Sequence, residues 1–266
     1  EARLLLGPAG PALYRHGKDH PPLIAPSKKF DVGTLVHSKV LGKGAPVAVV
    51  PAEILASNGA ASTDAAKAFV VAARAMGKIP MKLAEFAPIE AQAESVLSLG
   101  EARKLMQQPG DTEVSVFATD PDADVATRAR FDFLPDLNLP SPVAFDLKTT
   151  AYEATPDEFG YHAFKFGYHI QQEFYLRALN HCGAQGNMPA FRFVIVEKTA
   201  PYLAAVIELP ELFVDRGREK VKRALDIYAE CAASGAWPGH PDRVQFADVP
   251  NALIYEEDDT AEMEVA

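Results

Sequence analysis

Residues 128–150, RARFDFLPDLNLPSPVAFDLKTT, constrain this chain more than any other stretch. Charged and apolar side chains alternate from Arg128 to Phe133. Pro135, Pro140 and Pro142 then interrupt the pattern, and Val143-Ala144-Phe145 leads into Asp146-Leu147-Lys148. Successive side chains on a strand point to opposite faces, so a period of two reads as two strands joined by a loop. Asp146 and Lys148 then share a solvent-facing rim, while Phe145 and Leu147 share the other face and can enter a core. If the two strands pair, Asp132 reaches the side of Asp146. Two carboxylates and an ammonium at the mouth of an apolar hairpin suit metal-assisted phosphodiester chemistry. Hard Mg²⁺ takes oxygen ligands, and a lysine can orient the attacking water or stabilise developing charge. A solvated strand end with a surface ion pair has the same spacing, so this stretch alone leaves both readings open.

The flanking sequence supplies helices and further strands. Residues 1–26 are rich in Pro and Gly and read as a lead-in arm, with a short helix around Ala12–His16. Ser27 is a candidate N-cap for a helix running to Gly42, which carries FDVGTLVH and therefore His37. Val47–Ile54 reads as a short strand, and Thr63 caps a helix through Met76 that Gly77 ends. Helices are expected over Pro88–Leu99 and Gly100–Gln107, and Glu113–Phe117 alternates as a strand. After the central hairpin, Thr155 or Pro156 opens helical sequence, interrupted near Gly160 and Gly167. It resumes as YHIQQEFYLRALNHCG, where Gln171 and Tyr175 stand four apart on one face. Phe191–Glu197 and Tyr202–Leu209 read as strands. A long helix from Pro210 to Ser234 carries Arg216, Arg218, Lys220, Lys222 and Arg223, a solvated face or a phosphate contact. With no internal repeat or linker, one domain is expected.

A net charge of −10 excludes an indiscriminate nucleic-acid binder. Six of the acidic residues lie in Glu256–Ala266, which has no basic residue and reads as a solvating, disordered tail. The two cysteines, Cys182 and Cys231, stand in no metal-ligand or redox spacing and read as the reduced thiols of a cytosolic protein. No apolar run approaches the roughly 20 residues of a membrane span, and no signal peptide is visible.

Five features in order resemble the PD-(D/E)xK nuclease superfamily, in its RecB-like and lambda-exonuclease-like group. They are His37 in FDVGTLVH, Glu113, Asp132 in RARFD, Asp146-Leu147-Lys148 in AFDLKTT, and Gln171–Tyr175 in GYHIQQEFY. The last looks like the QxxxY element of that group. VEKTAP (residues 196–201) and the later Trp237-Pro238-Gly239 are similar to RecE-type (exonuclease VIII) phage enzymes. One departure is that Phe131 stands where the superfamily name has proline, though the carboxylate of Asp132 is present.

The resemblance covers residues 27–240 and implies an α/β fold: a restriction-endonuclease-like core with a central mixed β-sheet flanked by helices. It implies that Asp132, Asp146, the Leu147 carbonyl and His37 ligate Mg²⁺ or Mn²⁺, and that Glu113 holds a second ion or a water. Lys148 would position or deprotonate the attacking water. Gln171 and Tyr175 would brace the site and touch the DNA backbone, beside Arg128 and Arg130. The activity implied is a 5′-to-3′ exonuclease acting on double-stranded DNA ends and leaving 3′ single strands for a RecT-like annealing protein. A ring-shaped trimer or tetramer, a phage or prophage origin and a cytoplasmic location would accompany it. An endonuclease or single-strand nuclease of the superfamily, or a non-catalytic DNA-binding subunit, stays open.

Overall fold

The computed structural model describes residues 1–7, 9–21, 28–44, 46–250 and 253. Short helices α1 (Ala2–Leu5) and α2 (Gly10–Asp19) precede α3 (Lys28–Leu41). A parallel pair, β1 (Val47–Val50) and β2 (Ile79–Lys82), frames α4 (Asp64–Ala75). Helices α5 (Phe86–Ser98) and α6 (Gly100–Met106) lead into β3 (Gly110–Asp120), β4 (Val125–Pro135) and β5 (Val143–Thr150). Then come α7 (Pro156–Phe166), α8 (Tyr168–His181), β6 (Ala190–Glu197), β7 (Ala204–Ile207) and α9 (Glu211–Ser234). The main sheet runs β3-β4-β5-β6-β7, parallel only between β5 and β6. This is the expected mixed α/β fold with a central sheet flanked by helices. The Ser27 cap and the acidic tail from Glu256 lie outside the described residues.

Alternation along β5 decides the layering. Phe145 and Leu147 join Phe133 and the inward residues of α3, α5 and α6 in one core. Ala144, one step out of phase, joins Phe131, Phe159 and Leu179 in a second core under α7 and α8. The Phe133 and Phe145 rings stack 5.0 Å apart across the strand pair, and burying each contributes about 1.5–3 kcal/mol. The start of β5 is held by a side chain: Gln108 donates to the Val143 carbonyl at 3.2 Å and accepts from its N–H at 3.0 Å. That satisfies backbone groups left free where β4 and β5 share a single paired position.

Most expected elements are present, with three differences. Strand β2 carried no readable pattern in four residues, and its partner β1 ends at Val50, where a 3₁₀ turn (Ala52–Ile54) takes over the end of the expected strand. Gly160 does not interrupt α7, since one glycine inside a helix costs only about 1 kcal/mol. Gly167 does break the helix. It adopts φ 76° between α7 and α8, and a Cβ there would meet the Arg3 side chain at 2.9 Å. The short helix expected around Ala12–His16 is longer, Gly10–Asp19, and is preceded by α1; Tyr14 stacks on Trp237 with centroids 5.7 Å apart, and the Ala12 N–H donates to Pro238.

Arg177 on α8 ties the β3–β4 turn to the body. It pairs with Asp120, which is 2% exposed, and reaches Asp122 at 2.6 Å. The Arg177 contact holds the Asp120 carboxyl below the usual range. Arg177→Ala leaves that buried charge unmatched and is expected to cost on the order of 3 kcal/mol. The depressed pKa adds stability above the usual carboxylate range that is lost on acidification. Urea denaturation should therefore show a midpoint drop at pH 7 that shrinks towards pH 3. An unchanged midpoint at pH 7 would refute this.

The basic residues of α9 are mostly matched by neighbouring acids: Arg216 with Glu219, Arg218 with Asp215 and Glu173, and Lys222 with Asp226. That favours the solvated-face reading. Among the described residues, no helix is long and apolar enough to cross a membrane.

Candidate active site

Register brings three carboxylates into a row across the sheet. Thr112 pairs with Phe133 and Val114 with Phe131, which sets Glu113 opposite Asp132. Phe133 pairs with Phe145, which sets Asp132 opposite Asp146 on the next strand. The ladder lapses at this row. Glu113 is held at φ 60°, a left-handed conformation that costs a non-glycine residue on the order of 1 kcal/mol. Beyond the Phe133–Phe145 pair the strands part, and the Leu147 N–H donates to Asp132 Oδ2 at 2.7 Å instead of to a strand partner. Asp132 therefore substitutes for a missing rung while occupying the gap.

Helix α8 completes the centre. Lys148 Nζ lies 2.5 Å from Asp146 Oδ2 and donates to Gln171 Oε1 at 3.0 Å. Gln171 Nε2 donates to Asp146 Oδ1 at 2.5 Å, closing a three-membered ring of contacts. Lys148 also sits 5.0 Å from the centroid of the Tyr168 ring. Tyr175, one turn after Gln171, packs on Phe131 with centroids 5.2 Å apart. Glu113 pairs with Arg130. Glu113, Arg130, Asp132, Asp146, Lys148, Gln171 and Tyr175 line one open cavity of about 1000 Å³, whose walls also carry Lys43 and Lys198.

His37 on α3 faces Asp132 with Nδ1 3.5 Å from Oδ2. Burial lowers the His37 pKa, with the Asp146 charge and a hydrogen bond to the Leu147 main chain pulling the other way. The ring is neutral near pH 7, so this contact is not an ion pair there. Burial, reinforced by the Asp146 charge, raises Asp132 to about 7. Burial would lower Lys148, but the adjacent Asp146 outweighs it and the pKa is raised. Lys148 is thus a firm ammonium, suited to orienting an oxygen nucleophile or matching developing negative charge.

Donor chemistry fits a divalent metal. One atom each from His37, Glu113 and Asp132 lie within 4.8 Å of one another, giving one imidazole nitrogen and two carboxylate oxygens. The Asp132 carboxyl, raised first by burial and then by the Asp146 charge, is one whose ionised form a bound dication would favour. Asp146 stands next to that triad, its oxygens taken by Lys148 and Gln171. A bound divalent ion supplies Lewis acidity and lowers the pKa of its water.

A family model described as a PDDEXK-like domain of unknown function (DUF3799) matches residues 13–250. The chain belongs to this PDDEXK-like family. Membership of the PD-(D/E)xK nuclease superfamily is therefore the coarse identity of the protein. Among solved structures it is similar to a Eubacterium rectale protein assigned as an exonuclease, with 14% identity and a TM-score of 0.54. That match covers 91% of this chain and 85% of the other. A match to LHK-Exo in complex with dAMP covers 86% of this chain and 93% of that one, at 13% identity and a TM-score of 0.27. The first likeness supports the fold; the second is too low to bear on it. No curated protein sequence matches the chain.

In this PDDEXK-like domain, His37, Glu113, Arg130, Asp132, Asp146, Lys148, Gln171 and Tyr175 all line the one cavity. Arg128 lines a neighbouring cavity that shares Gln171 and Tyr175. The Leu147 side chain is fully buried, so only its main chain faces the site. Arg130 is engaged by Glu113. The expectation of a solvent-facing rim is wrong for Asp146, which is 3% exposed because α8 lays Gln171 over it.

Sequence reasoning missed Lys43, Lys198 and Tyr168. Lys198 lies in the VEKTAP segment and Tyr168 is the first residue of the QxxxY helix, so both stood beside a readable signal. Lys43 did not. As a ligand, His37 has a testable role: His37→Ala should reduce activity most at limiting metal and be partly rescued by excess Mn²⁺, which tolerates ligand changes better than Mg²⁺. Unchanged metal dependence with a lower melting temperature would instead assign His37 to packing.

Proposed function

We propose that the protein is a Mg²⁺- or Mn²⁺-dependent deoxyribonuclease that shortens double-stranded DNA in the 5′-to-3′ direction and leaves 3′ single strands for annealing. The carrying observation is the row Glu113–Asp132–Asp146 with Lys148 beside it, inside a cavity also walled by Lys43, Arg130 and Lys198. His37, Glu113, Asp132 and Asp146 would hold the metal. Lys148 would orient the nucleophile, Gln171 would hold Lys148 and Asp146 in place, and the wall cations would seat the phosphates. Exonuclease action rather than internal cleavage is the reading we take from the motif order in the sequence. We further propose a trimeric or tetrameric ring and a RecT-like annealing partner. A ring would confine positive potential to a channel in a protein of net charge −10.

A linear duplex labelled at one 5′ or one 3′ end, digested with Mg²⁺ or with chelator, tests the reading. Early release of 5′ label, chelator sensitivity and an intact closed circular duplex are expected. Cleavage of the circle would replace the exonuclease by an endonuclease of the same superfamily. Metal-independent cleavage, or none, would remove the catalytic assignment.

A further inference from the structure

A ladder of aromatic rings leaves the catalytic centre and reaches the surface. Tyr168, whose ring lies 5.0 Å from Lys148 Nζ, packs against Phe166 with centroids 5.9 Å apart. Phe166 stacks on His162 at 5.3 Å with an interplanar angle of 11°, and His162 stacks on Tyr152 at 4.0 Å and 28°. Tyr161 meets His162 edge-on at 5.5 Å. Lys165 Nζ hovers 5.5 Å from the Tyr161 ring and 5.9 Å from Phe166. His162 is buried, yet Tyr152 is 47%, Tyr161 59% and Phe166 41% exposed.

The segment from Tyr152 to Phe166 therefore exposes three rings, two of them beside the Lys165 ammonium, where a solvated face ordinarily presents polar groups. Contiguous exposed apolar surface marks an interaction site. Phe166 also lines the cavity that borders the catalytic one through Gln171 and Tyr175, so ladder and active site are continuous. The composition selects the occupant. Rings interleaved with a cation match an unpaired nucleic-acid strand, whose bases offer flat π faces and whose phosphates need positive charge. In a duplex those faces are stacked away. A chain of net charge −10 repels DNA at a distance, which puts the attraction on such local features.

We propose that Tyr152, Tyr161, Lys165 and Phe166 form a stacking platform for unpaired nucleotides of a DNA strand whose phosphate is engaged at Lys148. This rests on the nuclease reading above and adds where the strand runs next to the reacting phosphate. Each base stacked on a protein ring adds to affinity, so losing two rings is expected to weaken single-strand binding tenfold or more.

The test is fluorescence anisotropy of a labelled oligothymidylate in chelator, with wild-type protein and the paired variants Y152A/Y161A, Y152L/Y161L and Y152F/Y161F. The alanine and leucine pairs should both bind at least tenfold more weakly, and the phenylalanine pair should bind like wild type. Tyr161→Ala alone, at the most exposed of the three rings, serves if the alanine pair melts early, with a loss of threefold or more expected. Hydrolysis of bis(p-nitrophenyl) phosphate with Mn²⁺, which is too small to reach the platform, should be the same in all variants.

Wild-type affinity in the alanine pair, or no oligothymidylate binding by wild type, overturns the proposal. Wild-type affinity in the leucine pair also overturns it, since the patch would then be an apolar protein contact. So does a change in particle mass by light scattering in the alanine pair, which would make the patch an interface between copies. If wild type hydrolyses neither this ester nor DNA, the nuclease reading fails, and the binding measurements still decide the platform.

Discussion

Asp146→Asn is expected to lower the rate of DNA hydrolysis on the order of a thousandfold, or about 4 kcal/mol of barrier. Two effects combine. The substitution removes a carboxylate from the row that would neutralise a metal, and it frees Lys148, whose ammonium is matched by Asp146 Oδ2 at 2.5 Å. Asparagine keeps the shape of the buried side chain, so it avoids the cavity that alanine would open at a position 3% exposed. Circular dichroism and melting of the variant should stay close to wild type while single-turnover hydrolysis collapses. Gln171→Ala is expected to have a smaller effect in the same direction, because it loosens both partners and removes neither. Comparable rates for Asp146→Asn and wild type would end the metal-site assignment.

In the metal-free protein, stability should fall as pH rises from about 4 to 7, and Asp132→Asn should remove most of that fall. Asp132 is raised from 3.8 to about 7 by burial and by Asp146, so the native state holds a proton that the unfolded state releases. Stability is therefore highest below the unfolded pKa and is lost as pH rises through the folded one. At about 1.4 kcal/mol per pH unit the gap corresponds to a penalty on the order of 4 kcal/mol. His37 acts in the opposite sense. Its pKa is lowered by burial, so its contribution to stability rises as pH climbs through the ordinary histidine range.

Comparing Asp132→Asn with wild type isolates the carboxylate, because His37 is common to both. Asparagine can still accept the Leu147 N–H, so the backbone contact survives. Differential scanning fluorimetry with chelator should show the variant melting above wild type at pH 8 and near it at pH 4. Mg²⁺ should raise the wild-type midpoint at pH 8 by mass action and leave the variant nearly unmoved. An identical pH slope in both proteins would show that Asp132 carries no such charge penalty. The same carboxylate that destabilises the empty site is then the one that a cation makes favourable.

Much of the centre was readable along the chain because strand and helix periods are local properties. The alternation from Arg128 to Lys148 placed Phe145 and Leu147 in the core and put Asp146 with Lys148. The four-residue spacing of Gln171 and Tyr175 placed both on one helix face, and both line the cavity. Thr63 accepts a hydrogen bond from the Ala66 N–H and begins α4 as its side chain requires. The family resemblance drew on this same local information, read in order.

Tertiary structure decided what depends on register and on packing between distant segments. Spacing within β3 says nothing of Glu113 facing Asp132; the antiparallel pairing does, and it lapses at that position as Glu113 turns left-handed. Asp146 looked like a rim residue because alternation reports a face and not what covers it, and α8, more than twenty residues later, covers it. The aromatic ladder lies within residues 152–168, but which rings meet depends on how the turn after β5 folds Tyr152 back onto His162 of α7. By itself the sequence determined the strands, the helices and the chemical types at the centre, because those follow from neighbours a few residues apart. Charge crowding at Asp132, the grip of Gln171 on Lys148 and the path from the site to the surface came only with the fold, because burial and distance exist only between segments that it brings together.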